Sequence, residues 1–268
     1  MVCMTDLFNP STTPSSPVAV KAVSPDVELI TFAAGPFQTN CYVLVDRSQV
    51  HSGSTPLGST PLDADDSTSD DNAAASQFQS SDRAPAVVID PGYGAYPLLQ
   101  QLAKDHGFFV EKIVLTHGHI DHIRDAGEFG VPVYVHPLDR PFVEMDQSIS
   151  PLAQLFDVNN MKPIADVRDL GGDSVTLAGV DFTVHHMPGH SPGHVMFRVP
   201  GFIIGGDVLF RGGVGRTDLP GSSPEDMVLS LKKLSHEFDD DDVVVTGHGP
   251  ATTVGEEKRT NGYLQAVR

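Results

Sequence analysis

Three imidazoles and one carboxylate fall within Thr116-His117-Gly118-His119-Ile120-Asp121-His122. Neutral histidine and ionised aspartate are good ligands for zinc, iron or manganese, and packing alone does not require such a density of basic nitrogen. The preceding run Lys112-Ile113-Val114-Leu115 reads as a short buried strand. On an extended segment His117 and His119 project to the same side, because side chains repeat with period two. From Asp121 the sequence turns helical through Phe129 and stops at Gly130, so Asp121 and His122 leave the strand end in a second direction. That division suits two neighbouring cation sites better than one.

Three later segments repeat an order of strand, glycine, ligand. They are Met187-Pro188-Gly189-His190-Ser191-Pro192-Gly193-His194, Gly205-Gly206-Asp207 and Thr246-Gly247-His248-Gly249-Pro250. Glycine lets the backbone approach a crowded centre. An aspartate at the end of a buried strand is costly unless it is paired or metal-bound. Taken singly, such residues are more often turn or cap residues. Together with the first cluster, His190, Asp207 and His248 become candidate ligands beside His117, His119, Asp121 and His122. The other histidines (His51, His106, His136, His185, His186, His194 and His236) read as ordinary, with His194 the one placed to orient a ligand. Cys41 lies in a strand-like run and reads as a core residue.

The elements around these segments fall into two groups. Strands are expected over residues 27–32, 41–45, 86–90 and 131–135, and a helix over 93–106, with Leu98, Leu99, Leu102 and Ala103 on one side. Residues 137–158 read as helical or irregular cover. Hairpins are expected over 175–185 and 195–205, a helix over 227–234 begun by Ser223-Pro224, a last strand over 243–246 and a closing helix over 255–267. Strands in two groups, each with helices, predict an α+β fold of two mixed sheets face to face with helices outside. Residues 1–26, rich in Ser, Thr and Pro, read as a flexible tail, and 27–268 as one domain. A disordered acidic insertion interrupts that domain at about 47–83; from Asp46 to Arg83 it carries seven aspartates against two arginines, a net of −5.

The 268 residues suffice for a sizeable core. A net charge of −18 argues against nucleic acid as a partner. No stretch approaches the ~20 apolar residues that span a bilayer. The first residues carry neither the basic nor the apolar region of a signal peptide. The two cysteines, Cys3 and Cys41, form no disulfide framework, which fits reduced thiols in a cytoplasmic protein. Nothing in the sequence speaks to the oligomeric state.

The set His117-x-His119-x-Asp121-His122, then His190, Asp207 and His248, resembles the metallo-β-lactamase superfamily, and within it most of all the glyoxalase II-like hydrolases. Phe37-Gln38-Thr39-Asn40-Cys41-Tyr42, Asp90-Pro91-Gly92, Gly215-Arg216-Thr217-Asp218 and Gly247-His248-Gly249-Pro250-Ala251-Thr252-Thr253 support the likeness. The resemblance implies a four-layer αββα sandwich with the metals at one edge between the sheets. It assigns one divalent metal ion to His117, His119 and His190, a second to Asp121, His122 and His248, and the bridge to Asp207. Zinc is the first expectation, iron or manganese the next. The best-known secreted β-lactamases carry Cys at the position of Asp207, so the likeness points away from an antibiotic hydrolase.

The implied activity is hydrolysis of a small-molecule thioester, such as an S-2-hydroxyacyl thiol conjugate. Two cations about 3.5–4 Å apart can share a hydroxide, and its attack on the thioester carbonyl is the expected step. Asp121 would orient that hydroxide as well as bind metal, and Arg216 would meet a substrate carboxylate. About twenty residues follow His248. Glutathione-specific members carry a longer helical region there, so the resemblance implies a different thiol carrier or a broad thioester range. Two other readings stand beside this one. The first is a persulfide dioxygenase of the same fold with one iron on His117, His190 and Asp207, and the second is a non-catalytic metal-binding protein.

Overall fold

In the computed structural model, which describes residues 18–48, 83–149 and 152–267, two mixed sheets pack face to face. The first runs in chain order through β1 (Ala19–Ser24), β2 (Val27–Ala34), β3 (Thr39–Asp46), β4 (Ala84–Ile89), β5 (Phe108–Val114), β6 (Val133–Val135) and β7 (Val167–Asp169). Its first four strands pair antiparallel, and β4 to β7 pair parallel. Parallel neighbours need a crossover. Helix α1 (Ala95–Asp105) supplies it between β4 and β5, the short α2 (Ile120–Ile123) lies between β5 and β6, and α3 (Arg140–Glu144) between β6 and β7.

The second sheet begins with the meander β8 (Ser174–Leu177), β9 (Val180–His186), β10 (Val195–Val199) and β11 (Phe202–Ile204). A small separate hairpin, β12 (Leu209–Phe210) with β13 (Gly213–Val214), and helix α4 (Pro224–Glu237) follow. Then β14 (Val243–Val245) joins β11 in parallel and β15 (Thr252–Thr253) closes the edge, before α5 (Val254–Thr260) and α6 (Gly262–Gln265).

Strands buried on both faces read as continuous apolar runs, and the period of two divides their side chains between layers. In β3, Val43 and Val45 face the core shared with α1, whereas Leu44 enters the core between the sheets. In β4, Ala86 and Val88 face α1 and Val87 and Ile89 face the second sheet. In β14, Val243 and Val245 meet the first sheet, and Val244 packs with Leu231 and Leu234 of α4. The result is the four-layer αββα sandwich. Each fully buried Val, Leu or Ile adds roughly 1.5–3 kcal/mol, so the two runs of β3 and β4 contribute heavily to the seam.

Three expectations are corrected. Residues 19–24 form β1 and not part of a tail; β1 adds to β2 through backbone pairing and is only half-buried, so it carries little apolar signal. The helix expected from Asp121 to Phe129 stops after Ile123 and resumes as a 3-10 turn over Ala126–Phe129. The N–H of Asp125 donates to the carbonyl of Pro91 instead of continuing the helix, and its carboxylate accepts from the N–H of Tyr96. The closing helix is broken at Asn261, whose side chain caps Tyr263 and donates to the Gly213 carbonyl and to Glu257. Residues 1–17 of the expected tail and 49–82 of the expected insertion lie outside the described residues. Cys41 is buried within β3, where burial pushes its thiol pKa well up, as a core residue requires.

Candidate metal centre

Both sheets deliver side chains to one edge of the seam. The loop after β5 and the first turn of α2 carry His117, His119, Asp121 and His122. The β9–β10 loop carries His190, and Asp207 and His248 follow β11 and β14. The ligand atoms of His117, His119 and His190 lie within 4.8 Å of one another, as do those of Asp121, His122 and His248. Either triad could hold a cation.

Asp207 stands between the triads. Its Oδ1 is 3.5 Å from His122 Nε2, and its Oδ2 is 3.4 Å from both His190 Nε2 and His248 Nε2. Asp121 Oδ2 is 3.1 Å from His248 Nε2. His119 Nδ1 faces His190 Nε2 at 2.8 Å.

The outer nitrogens of four rings are spoken for, and this fixes what faces inward. His122 Nδ1 donates to Asp90 Oδ2 at 3.0 Å, His190 Nδ1 to the Arg216 carbonyl at 2.9 Å and His248 Nδ1 to the Phe37 carbonyl at 2.9 Å. His117 Nδ1 meets Thr116 Oγ1 at 3.0 Å, and that hydroxyl donates to Asp90 Oδ2, leaving its lone pair for the imidazole N–H. With Nδ1 protonated in each, all four Nε2 atoms point into the cluster, and each offers a lone pair whenever its ring is neutral. His117 Nε2 and Asp207 Oδ1 are buried without a hydrogen-bond partner. Converging ring nitrogens and orphaned acceptors fit a bound cation.

The electrostatics divide the same way. Burial, then His122 and His119, lower the pKa of His117 well below the usual imidazole value. Burial and then His190 lower His119 to about 3. On the carboxylate side, burial opposes charge on His122, but Asp207, Asp121 and Asp90 outweigh it and raise its pKa well above the usual value. His248 is raised to about 9, again against burial, by Asp121 and Asp207. In the metal-free protein, protons thus take the half of the cluster that carries the carboxylates.

Close packing sets the backbone. A Cβ on Gly247 would sit 1.8 Å from Asp207 Oδ1 and 2.9 Å from His122 Cε1, so only glycine admits both side chains. Gly206, at φ +50°, would place its Cβ 2.5 Å from His194 Nε2. That nitrogen accepts the N–H of Asp207 at 2.9 Å, so His194 orients the shared carboxylate through its backbone.

Two further carboxylates hold the loops; sequence reasoning quoted Asp90 only within the Asp90-Pro91-Gly92 stretch, without a role, and did not single out Asp139. Asp90, at the end of β4, accepts from the N–H and hydroxyl of Thr116 and from His122. A charged residue closing a buried strand, as at Asp207, is the signal that could have found it. Asp139 is fully buried and binds Gly118 N–H, Ser191 Oγ and Gly193 N–H, tying the β5 loop to the β9–β10 loop. Nothing near Asp139 in the sequence marks it. The Arg216 side chain is not brought into the cluster. Its guanidinium is exposed and binds Asp218 through two nitrogens at 2.6 and 2.8 Å, while its carbonyl is what supports His190.

A four-layer sandwich with a histidine–aspartate cluster at one edge of its seam is the build of a metal-dependent hydrolase. The chain belongs to the metallo-beta-lactamase superfamily, whose family model matches residues 81–248. It is 34% identical over 193 residues to hydroxyacylglutathione hydrolase GloC of Haemophilus influenzae, across 69% of this chain and 90% of that one. The crystal structure of TTHA1623 in a di-iron-bound form is similar with a TM-score of 0.64 and 34% identity, over 87% of this chain and 98% of that one. The BLEG-1 B3 metallo-beta-lactamase gives a TM-score of 0.65 and 28% identity, over 88% and 99% of the two chains.

Proposed function

We propose that this protein hydrolyses a thioester, such as an S-2-hydroxyacyl conjugate of a small thiol, using two divalent cations held by the cluster. His117, His119 and His190 would hold one cation and Asp121, His122 and His248 the other, with Asp207 shared. The observation that carries this reading is the pair of triads, His117 with His119 and His190 and Asp121 with His122 and His248, set around the single carboxylate of Asp207. The likeness to GloC supports the thioester, and the di-iron-bound state of TTHA1623 supports a two-metal centre. Zinc remains the first choice of metal, with iron and manganese compatible with the same imidazole and carboxylate donors.

A divalent cation in such a site supplies Lewis acidity, acidifying water and drawing off charge from a carbonyl oxygen. The protein's own groups do the positioning. Burial opposes ionisation of Asp121, but His122 and His248 hold its pKa below the usual carboxylate value, so it is an acceptor at neutral pH. Beside His248 it is placed to take a hydrogen bond from the attacking water and aim it. The Asp90, Phe37 and Arg216 acceptors keep the ring nitrogens in one tautomer throughout. A thiolate leaves readily, so the reaction asks no strong acid of the protein.

The test is metal analysis coupled to assays on S-lactoyl thioesters, a persulfide and a β-lactam. Two metals per chain and thioester turnover are expected, with activity lost on chelation and restored by metal. Absence of thioester hydrolysis in protein carrying two metals per chain would refute the reading. One iron per chain with oxygen uptake on the persulfide would assign a dioxygenase instead.

A further inference from the structure

On the far side of the β9–β10 loop, the chain crosses from the first sheet to the second through Leu170-Gly171-Gly172-Asp173. A cleft of about 380 Å³ opens beside that crossing. Two imidazoles line it, one from each sheet. His136, after β6, and His186, at the end of β9, stack with centroids 4.4 Å apart and planes 7° from parallel.

Each ring has one nitrogen pinned. His136 Nδ1 accepts the N–H of Leu138 at 3.3 Å, which places the proton on Nε2 as a donor. Burial first, and then His186, lower the pKa of His136, so the ring stays neutral and keeps that single N–H. His186 Nε2 donates to the Pro192 carbonyl at 2.8 Å. From α4, Lys233 brings its ammonium to the rim, 3.4 Å from the His186 carbonyl, and no carboxylate among the described residues pairs with it. Gly171 and Gly172 also line the cleft; both are exposed, and their N–H groups donate to no acceptor among the described residues.

The polar lining thus offers the Lys233 ammonium and the His136 N–H as donors, with the His186 Nδ1 lone pair and the Asp173 carboxylate as its side-chain acceptors. Parallel rings keep their lone pairs from converging on a point, which disfavours a cation. An ammonium, an imidazole N–H and free backbone N–H groups around one hollow are what an oxyanion needs. Asp173 is the one carboxylate on the wall, and it is exposed.

We propose that this cleft, where Lys233, His136 and the Gly171-Gly172 turn meet, binds a small oxyanion: a phosphate or carboxylate group. It is a site separate from the metal centre and does not depend on the thioester reading. It is linked to that centre through His186, whose Nε2 donates to the Pro192 carbonyl two residues from His190, and through His136, whose carbonyl accepts the N–H of Asp139.

The test is imidazole NMR on the full, zinc-loaded chain, titrated with inorganic phosphate and, separately, with acetate. His136 and His186 ring signals should shift in a saturable way. The stronger of the two responses identifies the group the cleft prefers. Lys233→Met should weaken binding about tenfold, the loss of one charge-assisted hydrogen bond, while metal content stays unchanged. Asp173→Asn, at an exposed position, should tighten binding. Shifts confined to His119, His190 and His248 would mean that the anion sits at the metal centre, and would overturn the proposal. So would no response to either anion, or affinities unmoved in both variants.

Discussion

Replacing Asp139 with asparagine tests whether one carboxylate clamps the two loops of the cluster. The side chain is fully buried. Its Oδ2 accepts from Gly118 N–H at 2.8 Å and Ser191 Oγ at 2.6 Å, and its Oδ1 accepts from Gly193 N–H at 2.5 Å. Asparagine keeps one oxygen and turns the other into a donor. If the oxygen stays on Gly118 and Ser191, the amide nitrogen faces the N–H of Gly193. If it flips, the nitrogen faces the N–H of Gly118, and only the Ser191 hydroxyl can turn to accept. Either way one buried N–H is left unmet, at about 1–3 kcal/mol, and the surviving bonds lose their charge assistance, for about 1 kcal/mol more. A loss of about 2–4 kcal/mol is therefore expected for the metal-free chain, from urea denaturation. Gly118 separates His117 from His119 and Gly193 precedes His194, so the same change should lower zinc affinity ~10–100-fold in chelator competition. A destabilisation under about 0.5 kcal/mol, the range of an ordinary surface substitution, together with unchanged zinc affinity, would refute the clamp.

Gly247→Ala should leave a folded chain with little bound metal, because its Cβ would fall 1.8 Å from Asp207 Oδ1; zinc content equal to the unmodified chain would contradict this. The pH response of the metal-free chain follows from His248, raised from 6.5 to about 9. A pKa raised on folding gives a stabilisation fully present below the unfolded value of 6.5 and lost as pH rises through about 9. Urea midpoints should fall across that window, and a flat profile would count against the carboxylate pairing of His248.

The site was legible in the sequence where it is dense and local. Thr116 to His122 packs four candidate ligands into one short stretch, and the strand–glycine–ligand order repeats at Asp207 and His248. The layers were legible because β3, β4 and β14 are unbroken apolar runs, which only burial on both faces explains. Asp139 was not legible, since its partners lie 21 and 54 residues away at Gly118 and Gly193, and a lone aspartate after a strand reads as a turn. Strand β1 escaped notice because its backbone pairing with β2, more than its side chains, places it. The length of the helix after the cluster was over-read, since the bond from Asp125 to Pro91 that ends it joins residues far apart in the chain.

The seam position of the cluster has a consequence for assembly. His117, His119, Asp121 and His122 ride on the first sheet, and His190, Asp207 and His248 on the second. The triad of His117, His119 and His190 already needs both sheets, and so does that of Asp121, His122 and His248. Neither half-chain holds either of these two triads; the trio Asp90, His117 and His122, which lies within the first half, has Asp90 already engaged by His122 and Thr116. A cation seated on one of the two triads is therefore held only after the two halves have docked in register. Its binding free energy would then be spent on holding that docking in place. Metal content becomes a gauge of correct assembly, and a chain whose sheets part at this edge would betray itself by releasing its metal.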